Sequence, residues 1–470
     1  MLIIPKLHEN TEVPYYIQLY HYFKNEIIGG VLAPNIRLPS IRSLASQLGI
    51  SSTPVELAYQ QLLSEGFITS RPKSGYYVLP IHLSYGKAVS MKRPGPSSFP
   101  ITARDAQHYP YDFHISKNDF SVFPHKIWRS LYQEQLANEE LLQYGDPQGE
   151  PGLRASISAY LNSFRGLQCS QEQVVIGGDQ YTLASQLSLM LQNSTGRLGF
   201  EDPGYHLVPS TFARNGYEAL PIDLQEDGLN LITLYQSNAN IVYVSPSHQF
   251  PMGMTMPIGK RLALLEWAKV RQGYIIEDDY DGEFRYHGRP IPSLQGLVAN
   301  SPVIYMGSFA QSLSPALCIH YMILPKELLP LYHCLKSELY LEHSASRLNQ
   351  IALHYFIERG HFGRHLRKMR QLYQRKHDVL LQSLKKYFGE CGIVLGRDAG
   401  FHLLLRISHD HTKEQLVSLA KKAGVRITPM SYTWWDKRTS GELEFIMGFG
   451  GIAEDRIAEG IRTLKNVWYP

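Results

Sequence analysis

Two groups of residues in the second half of the chain have types and spacing suited to holding a ligand. Gly177-Gly178-Asp179 ends the apolar run Val174-Val175-Ile176 and opens a helix running from about Tyr181 to Leu191. Free N–H groups at such a helix start could receive an anion such as a phosphate. Glycines also suit a strand-to-helix turn that needs positive φ, and the spacing alone leaves the two readings even. The second group consists of acids, tyrosines and small residues that stop other apolar runs. Leu198-Gly199-Phe200 meets Glu201-Asp202-Pro203, and Ile241 to Val244 meets Ser245-Pro246-Ser247. Tyr274-Ile275-Ile276 meets Glu277-Asp278-Asp279-Tyr280, and Val303 to Met306 meets Gly307-Ser308. Buried parallel strands stop in this way before the next helix, which gives an α/β organisation. Open α/β sheets bind ligands outside the carboxyl ends of their strands, so these loops define one crevice lined by acids and tyrosines.

Other signals carry less. His361 and His365 stand four apart on an expected helix, but Phe362 follows where a zinc-protease motif needs Glu, so the pair reads as part of a solvated basic face. The run from Arg364 to Lys376 reads as soluble surface. Cys169, Cys318, Cys334 and Cys391 lie far apart with no CxxC pair, which indicates neither a metal site nor a disulfide framework and fits a reducing cytoplasm.

The first eighty residues hold a different pattern. Tyr16, Leu19, Tyr20, Phe23 and Ile27 make one apolar helix face closed by Gly29-Gly30. Ser40 is placed to cap a two-turn helix carrying Ile41, Leu44, Ala45 and Leu48, with Gly49 at its C-terminal turn. Ser51 or Ser52 caps a third helix with inner face Val55, Ala58, Tyr59 and Leu62. Two short helices joined by a tight turn form a helix-turn-helix, whose second helix enters the major groove. Phe67 to Ser70 and Tyr76 to Val78 flank Arg71-Pro72-Lys73-Ser74-Gly75 as a hairpin wing with a basic tip. Six Lys or Arg against five Glu leave residues 1–80 at net +1. Contacts to DNA therefore fall to a few placed cations, Arg37, Arg42, Arg71 and Lys73, which position the module on phosphates.

The chain of 470 residues is long enough for at least two domains. With 44% hydrophobic and 19% charged residues it is globular, and its net charge of +4 excludes a histone-like binder. No stretch approaches the roughly 18 apolar residues of a membrane span, so a soluble, unexported protein is expected. Three prolines and a glycine between Ser90 and Pro100 mark a boundary. The expected division is a DNA-binding domain at 1–80, a flexible linker at 81–110 and a large domain at 111–470.

Residues 14 to 78 resemble the winged-helix domain of GntR-type bacterial transcription regulators. Tyr15 to Tyr20 (YYIQLY), Arg37-Leu38-Pro39-Ser40, Leu48-Gly49, Ala58-Tyr59 and Leu62 to Phe67 (LLSEGF) carry the likeness. Ser52, with Thr53 beside it, begins the recognition helix where the family usually has Arg, which implies an unusual operator preference. Arg37, Ser40, Arg42, Ser52, Thr53, Arg71 and Lys73 form the expected DNA-contact set. From about Tyr111 to Trp468 the chain resembles the aminotransferase-like domain of fold type I pyridoxal 5′-phosphate (PLP) proteins. The shared stretches include Tyr144 to Gly149 (YGDPQG), Glu201 to Tyr205 (EDPGY), Ser245 to Pro251 (SPSHQFP) and Glu277 to Asp281 (EDDYD). The whole looks like the MocR (GabR-like) subfamily: an α+β winged helix-turn-helix followed by an α/β aminotransferase-like domain.

The resemblance stacks Tyr205 on the cofactor ring, sets Asp278 against the pyridine nitrogen, puts Tyr280 near the ring hydroxyl and sends Tyr144 into the partner subunit's site. Gly178, Asp179, Ser308 and Gln311 complete the expected contact set. The family's Schiff-base lysine falls at Gln311, whose amide cannot take that role, and its phosphate-gripping arginine falls at Cys318. No arginine lies between Arg438 and Arg456, where the carboxylate clamp belongs, and Leu207 stands where relatives often have another. The resemblance thus implies a cytoplasmic, homodimeric regulator of double-stranded DNA with no catalytic residues, in a family whose dimer is often domain-swapped. PLP, pyridoxamine phosphate or another planar effector is held noncovalently at most. A ligand-independent dimeric regulator is the alternative, and an active aminotransferase a weaker one.

Overall fold

Helix α1 (Tyr15–Ile28) buries Leu19, Phe23 and Ile27 at a spacing of four, while Tyr16 stays exposed and Tyr20 turns its hydroxyl to Glu65. The apolar face is therefore narrower than the sequence suggests. Helices α2 (Ile41–Leu48) and α3 (Ser52–Ser64) follow. Ser40 caps α2 by accepting from the Ser43 N–H at 3.2 Å, and Gly49 adopts the left-handed conformation that ends it. Ser51 occupies the cap position of α3, but its side chain accepts no capping bond. The wing pairs β1 (Ile68–Arg71) antiparallel with β2 (Gly75–Val78), so Arg71 and Gly75 belong to the strands and the turn is Pro72-Lys73-Ser74. Fully buried Tyr59 knits this unit together. Its ring meets Phe23 and Tyr76 edge-on at 5.6 and 5.1 Å, and its hydroxyl donates to the Pro39 carbonyl at 3.1 Å. Burying one such ring contributes on the order of 2 kcal/mol or more.

The computed structural model describes residues 5–8, 13–80, 109–192, 196–286, 290–339, 344–397, 399–436 and 442–470. The chain separates into two units, 1–106 and 107–470. The expected linker at 81–110 lies outside the described residues except at 109–110.

The large unit starts with β3 (Tyr111–Asp112), α4 (His125–Gln135) and α5 (Pro151–Phe164). It continues through β4 (Val174–Gly177), α6 (Gln180–Met190), β5 (Arg197–Asp202), α7 (Leu207–Arg214), β6 (Glu218–Gln225) and β7 (Gly228–Leu229). Next come α8 (Leu231–Gln236), β8 (Ile241–Val244), α9 (Ile258–Arg271), β9 (Tyr274–Asp279), β10 (Val303–Ser308) and β11 (His320–Ile323). These eight strands form one sheet in the order β4-β11-β10-β9-β8-β5-β6-β7. Neighbours from β10 to β6 run parallel, whereas β11 runs antiparallel to both of its neighbours. All four residues of β4 and of β8 are buried, the pattern of strands covered on both faces by helices. The carboxyl ends of β4, β5, β8, β9 and β10 therefore share one edge, as expected.

The rest comprises α10 (Leu329–Glu338), α11 (Arg347–Glu358), α12 (His361–Phe388), β12 (Gly392–Leu395), β13 (His402–Ile407) and α13 (Lys413–Lys422). The chain closes with β14 (Val425–Arg426), β15 (Thr428–Pro429), β16 (Leu443–Gly448) and α14 (Glu454–Trp468). A four-stranded antiparallel sheet, β12-β13-β16-β15, forms a second layer. Helix α12 buries Phe362, His365, Leu366, Met369, Tyr373 and Lys376 on one face. This corrects two expectations. His365 is a core residue whose Nε2 lies 2.9 Å from the Ser312 carbonyl, and Lys376 is buried as the ion-pair partner of Asp119. Arg364, Arg367 and Lys368 are exposed, so the basic run is surface only in part. No group of three metal-binding side chains occurs among the described residues, and no helix there is long and apolar enough to cross a membrane.

Candidate ligand cavity and DNA-facing surface

The alternation of side chains along β9 sorts three consecutive acids. Glu277 and Asp279 point to one side of the sheet and Asp278 to the other. Glu277 accepts from the Leu294 and Gln295 N–H groups at 2.9 and 3.3 Å, and burial pushes its pKa up to about 7. Asp279 pairs with buried Arg165 at 2.7 Å and accepts from the Tyr305 hydroxyl. Asp278 instead opens into a cavity of 550 Å³. Burial pushes its pKa up to about 6, while donors from Tyr243 and Gln180 pull the other way. Both donors reach the same oxygen, Oδ2, with Gln180 Nε2 at 3.0 Å.

The cavity walls come from distant segments. Tyr205 and Phe250 meet edge to face at 6.3 Å, and Tyr280 stands against Phe250 in the same way at 6.2 Å. The Tyr280 hydroxyl lies 2.9 Å from His248 Nδ1, which is also 2.8 Å from Asp281 Oδ2. Ser308, Ala310, Gln311, His320, Phe401, His402, Thr428 and Tyr432 complete the lining. The Gln311 Oε1 is buried with no hydrogen-bond partner. His402 donates from Nε2 to the Pro251 carbonyl at 3.0 Å, and burial lowers its pKa to about 4. Burial also lowers His114 and His320.

The structure thus brings Tyr205, Asp278, Tyr280, Ser308 and Gln311 together around one cavity. Gly178 and Asp179 stand at the start of α6 and do not line it. Neither Gly177 nor Gly178 has positive φ, so that reading of the pair is overturned. Gly177 is explained by a close approach, since a Cβ there would come within 2.7 Å of Leu183. Asp179 caps α6 by accepting from the Thr182 N–H at 2.7 Å, which sets a carboxylate where an anion would otherwise be received. Tyr144 is 71% exposed and lies outside the cavity. The sequence reading missed Gln180, Tyr243, His320, His402 and Tyr432. Gln180 and Tyr243 flank motifs already marked, so the first helical turn and the inward positions of a strand end were the available signals.

On the N-terminal unit, Arg42, Ser52 and Thr53 are exposed at the first turns of α2 and α3. Exposed Glu56, Leu57 and Gln60 continue that face of α3. Arg37 lies across the wing, its Nε 3.4 Å from the position of a Cβ on Gly75. Arg71 stacks over the Tyr77 ring at 4.3 Å and donates to Asn35, and Lys73 takes positive φ at the wing turn.

The fold and cavity define a class: a winged-helix DNA reader carrying an aminotransferase-type domain. Residues 15–78 match the bacterial regulatory proteins of the gntR family, and residues 112–439 match aminotransferase class I and II. The chain is 39% identical to the HTH-type transcriptional regulator YdeL of Bacillus subtilis over all of both chains. It is 31% identical to the probable rhizopine catabolism regulatory protein MocR of Rhizobium meliloti, covering 98% of this chain and 95% of that one. Among solved structures, a kynurenine aminotransferase of Pyrococcus horikoshii superposes with a TM-score of 0.69 at 22% identity, covering 77% of this chain and 91% of that one. The chain belongs to the GntR family of transcription regulators, in its MocR subfamily, and its winged helix binds DNA.

Arg42 is exposed and makes no side-chain hydrogen bond or ion pair among the described residues, so its removal leaves the rest of the unit undisturbed. Arg42→Ala is expected to weaken duplex binding about tenfold and to reduce the salt slope by about one, with an unchanged melting midpoint. Binding by fluorescence anisotropy at three salt concentrations checks it, and unchanged affinity would remove α2 from the phosphate backbone.

Proposed function

We propose that the large domain is a noncatalytic sensor and dimerisation platform that reads a small ligand reversibly and sets the spacing of two winged helices on two half-sites. The observation that carries this reading is Gln311. Its side chain lines the same cavity as Asp278, and no lysine lines that cavity among the described residues. An amide forms no Schiff base and relays no α-proton, so the chemistry of the aminotransferases lacks its nucleophile and its base.

PLP, where bound in proteins of this fold, supplies an electron sink. Its ring would suit Tyr205 and Asp278. Its phosphate does not fit, because no Lys or Arg lines the cavity among the described residues and Asp179 already caps α6. In the proposed DNA complex, Arg37, Arg42, Arg71 and Lys73 hold phosphates, while Ser40, Ser52 and Thr53 approach the backbone and groove. Tyr144, exposed beside Leu142, supports a dimer in which this edge faces the partner subunit.

The test is amino-group transfer from a panel of L-amino acids to 2-oxoglutarate, with and without added PLP, beside anisotropy on a duplex from the gene's own upstream region. Salt-sensitive duplex binding with no turnover above blank is expected. Turnover that disappears in Gln311→Ala would make the domain an enzyme.

A further inference from the structure

We infer that the cavity is built for a small, planar, protonated nitrogen heterocycle that carries neither phosphate nor carboxylate, an inference that rests on the sensor reading above. Asp278 is 6% exposed, and its two donors both converge on Oδ2. No donor reaches Oδ1 among the described residues. Asp278 lines the cavity with this oxygen free of protein donors, and a ligand N–H⁺ there satisfies both its hydrogen bond and its charge. Gln311 Oε1 is a buried acceptor with no partner, on a residue that lines the same cavity. The cavity therefore asks for donors.

It offers little to an anion. Its charged lining residue among those described is Asp278, and no Lys or Arg joins it. His114, His320 and His402 are all shifted down by burial, so they are neutral near pH 7. The positive end of α6 is already answered by the Asp179 carboxylate. The walls favour a cation by a second route, because Tyr205, Phe250, Tyr280, Phe401 and Tyr432 present rings whose faces attract positive charge. A volume of 550 Å³ admits a one- or two-ring molecule.

A matched pair of probes separates the charge requirement from ring recognition. Pyridoxamine and pyridoxamine 5′-phosphate differ only in the phosphate, and 4-aminopyridine, whose ring nitrogen is protonated at neutral pH, is a second unphosphorylated probe. Calorimetric titration of the full chain at pH 7.5 is expected to give tighter binding of the unphosphorylated probes by about tenfold or more. Asp278→Asn keeps the shape and removes the charge, and is expected to weaken them by a similar factor, with its melting midpoint as the fold check. The double variant Asp179→Ser, Cys318→Arg is expected to move preference toward the phosphorylated probe. Tighter binding of pyridoxamine 5′-phosphate by the wild type would overturn this inference and leave the sensor reading in place. Equal binding of the unphosphorylated probes by Asp278→Asn would also overturn it. No binding of any probe at millimolar concentration would overturn the inference and the sensor reading together, leaving a ligand-independent regulator.

Discussion

Replacing Arg165 with methionine is expected to cost about 3–5 kcal/mol and to lower the melting midpoint of the large domain by roughly 5 °C. Arg165 is the buried cation beneath the sheet edge, 2.7 Å from Asp279 Oδ2 and donating to Ser247 Oγ at 2.8 Å. Glu277 and Glu283 lie in the same buried region, both pushed up to about 7 by desolvation, and Arg165 opposes that shift in each. Methionine preserves apolar bulk, leaves Asp279 without its ion-pair partner and takes one cation away from Glu277 and Glu283. The sign of the pH dependence follows. An acid whose folded pKa is raised contributes stability that is full below its unfolded value near 4.5 and is lost as pH rises through the folded value. Removing Arg165 raises the folded values further, so the variant's deficit is expected to be larger at pH 8 than at pH 5.5. Thermal melts of both proteins at the two pH values check this. A deficit independent of pH would mean that packing, not charge, is what Arg165 supplies.

Gly400→Ala is expected to destabilise by at least about 3 kcal/mol and to abolish tight ligand binding in the protein that remains folded. Gly400 has φ of +79°, and a Cβ there would sit 2.2 Å from His248 Cε1 and 2.4 Å from Asp281 Oδ2. Both groups are buried and neither can retreat into solvent. Displacing His248 also removes the partner of the Tyr280 hydroxyl, and Tyr280 is a cavity wall. Gly196→Ala is the control, because it pays a similar positive φ of +68° with no atom within 4 Å. A control that costs as much as Gly400→Ala would reduce the effect to backbone strain.

The local parts of this architecture were legible because their causes are local. Ser40 and Gly49 bound α2 through a cap and a left-handed turn, both written in residue type. The five apolar runs became strands because a strand covered on both faces is apolar along its middle, with polar residues confined to its ends. The cavity was legible only on the side built from strand ends. Phe401, His402, Thr428 and Tyr432 enter it from about 90 residues or more beyond the last of those strand ends, and no period in the sequence announces that return. His365 and Lys376 were misread because residue type alone marks them polar. Each is buried because one partner waits for it, the Ser312 carbonyl and Asp119 respectively. The glycine pair misled for the opposite reason: crowding by Leu183, invisible in sequence, explains Gly177 without any special dihedral.

Helix α12 gives the cavity a mechanical neighbour. Its His365 grips the carbonyl of Ser312, the residue after Gln311, its Arg370 donates to the Glu283 carbonyl at 2.6 Å, and its Lys376 donates to the Gly450 carbonyl at 3.0 Å. From His365 to Phe388 the helix runs roughly 35 Å at the usual rise, so a tilt of about 5° at the gripped end displaces the far end by about 3 Å. The three contacts tie the residue after Gln311, the loop after β9 and the turn after β16 to one rigid rod, so a displacement of any one of them loads the other two.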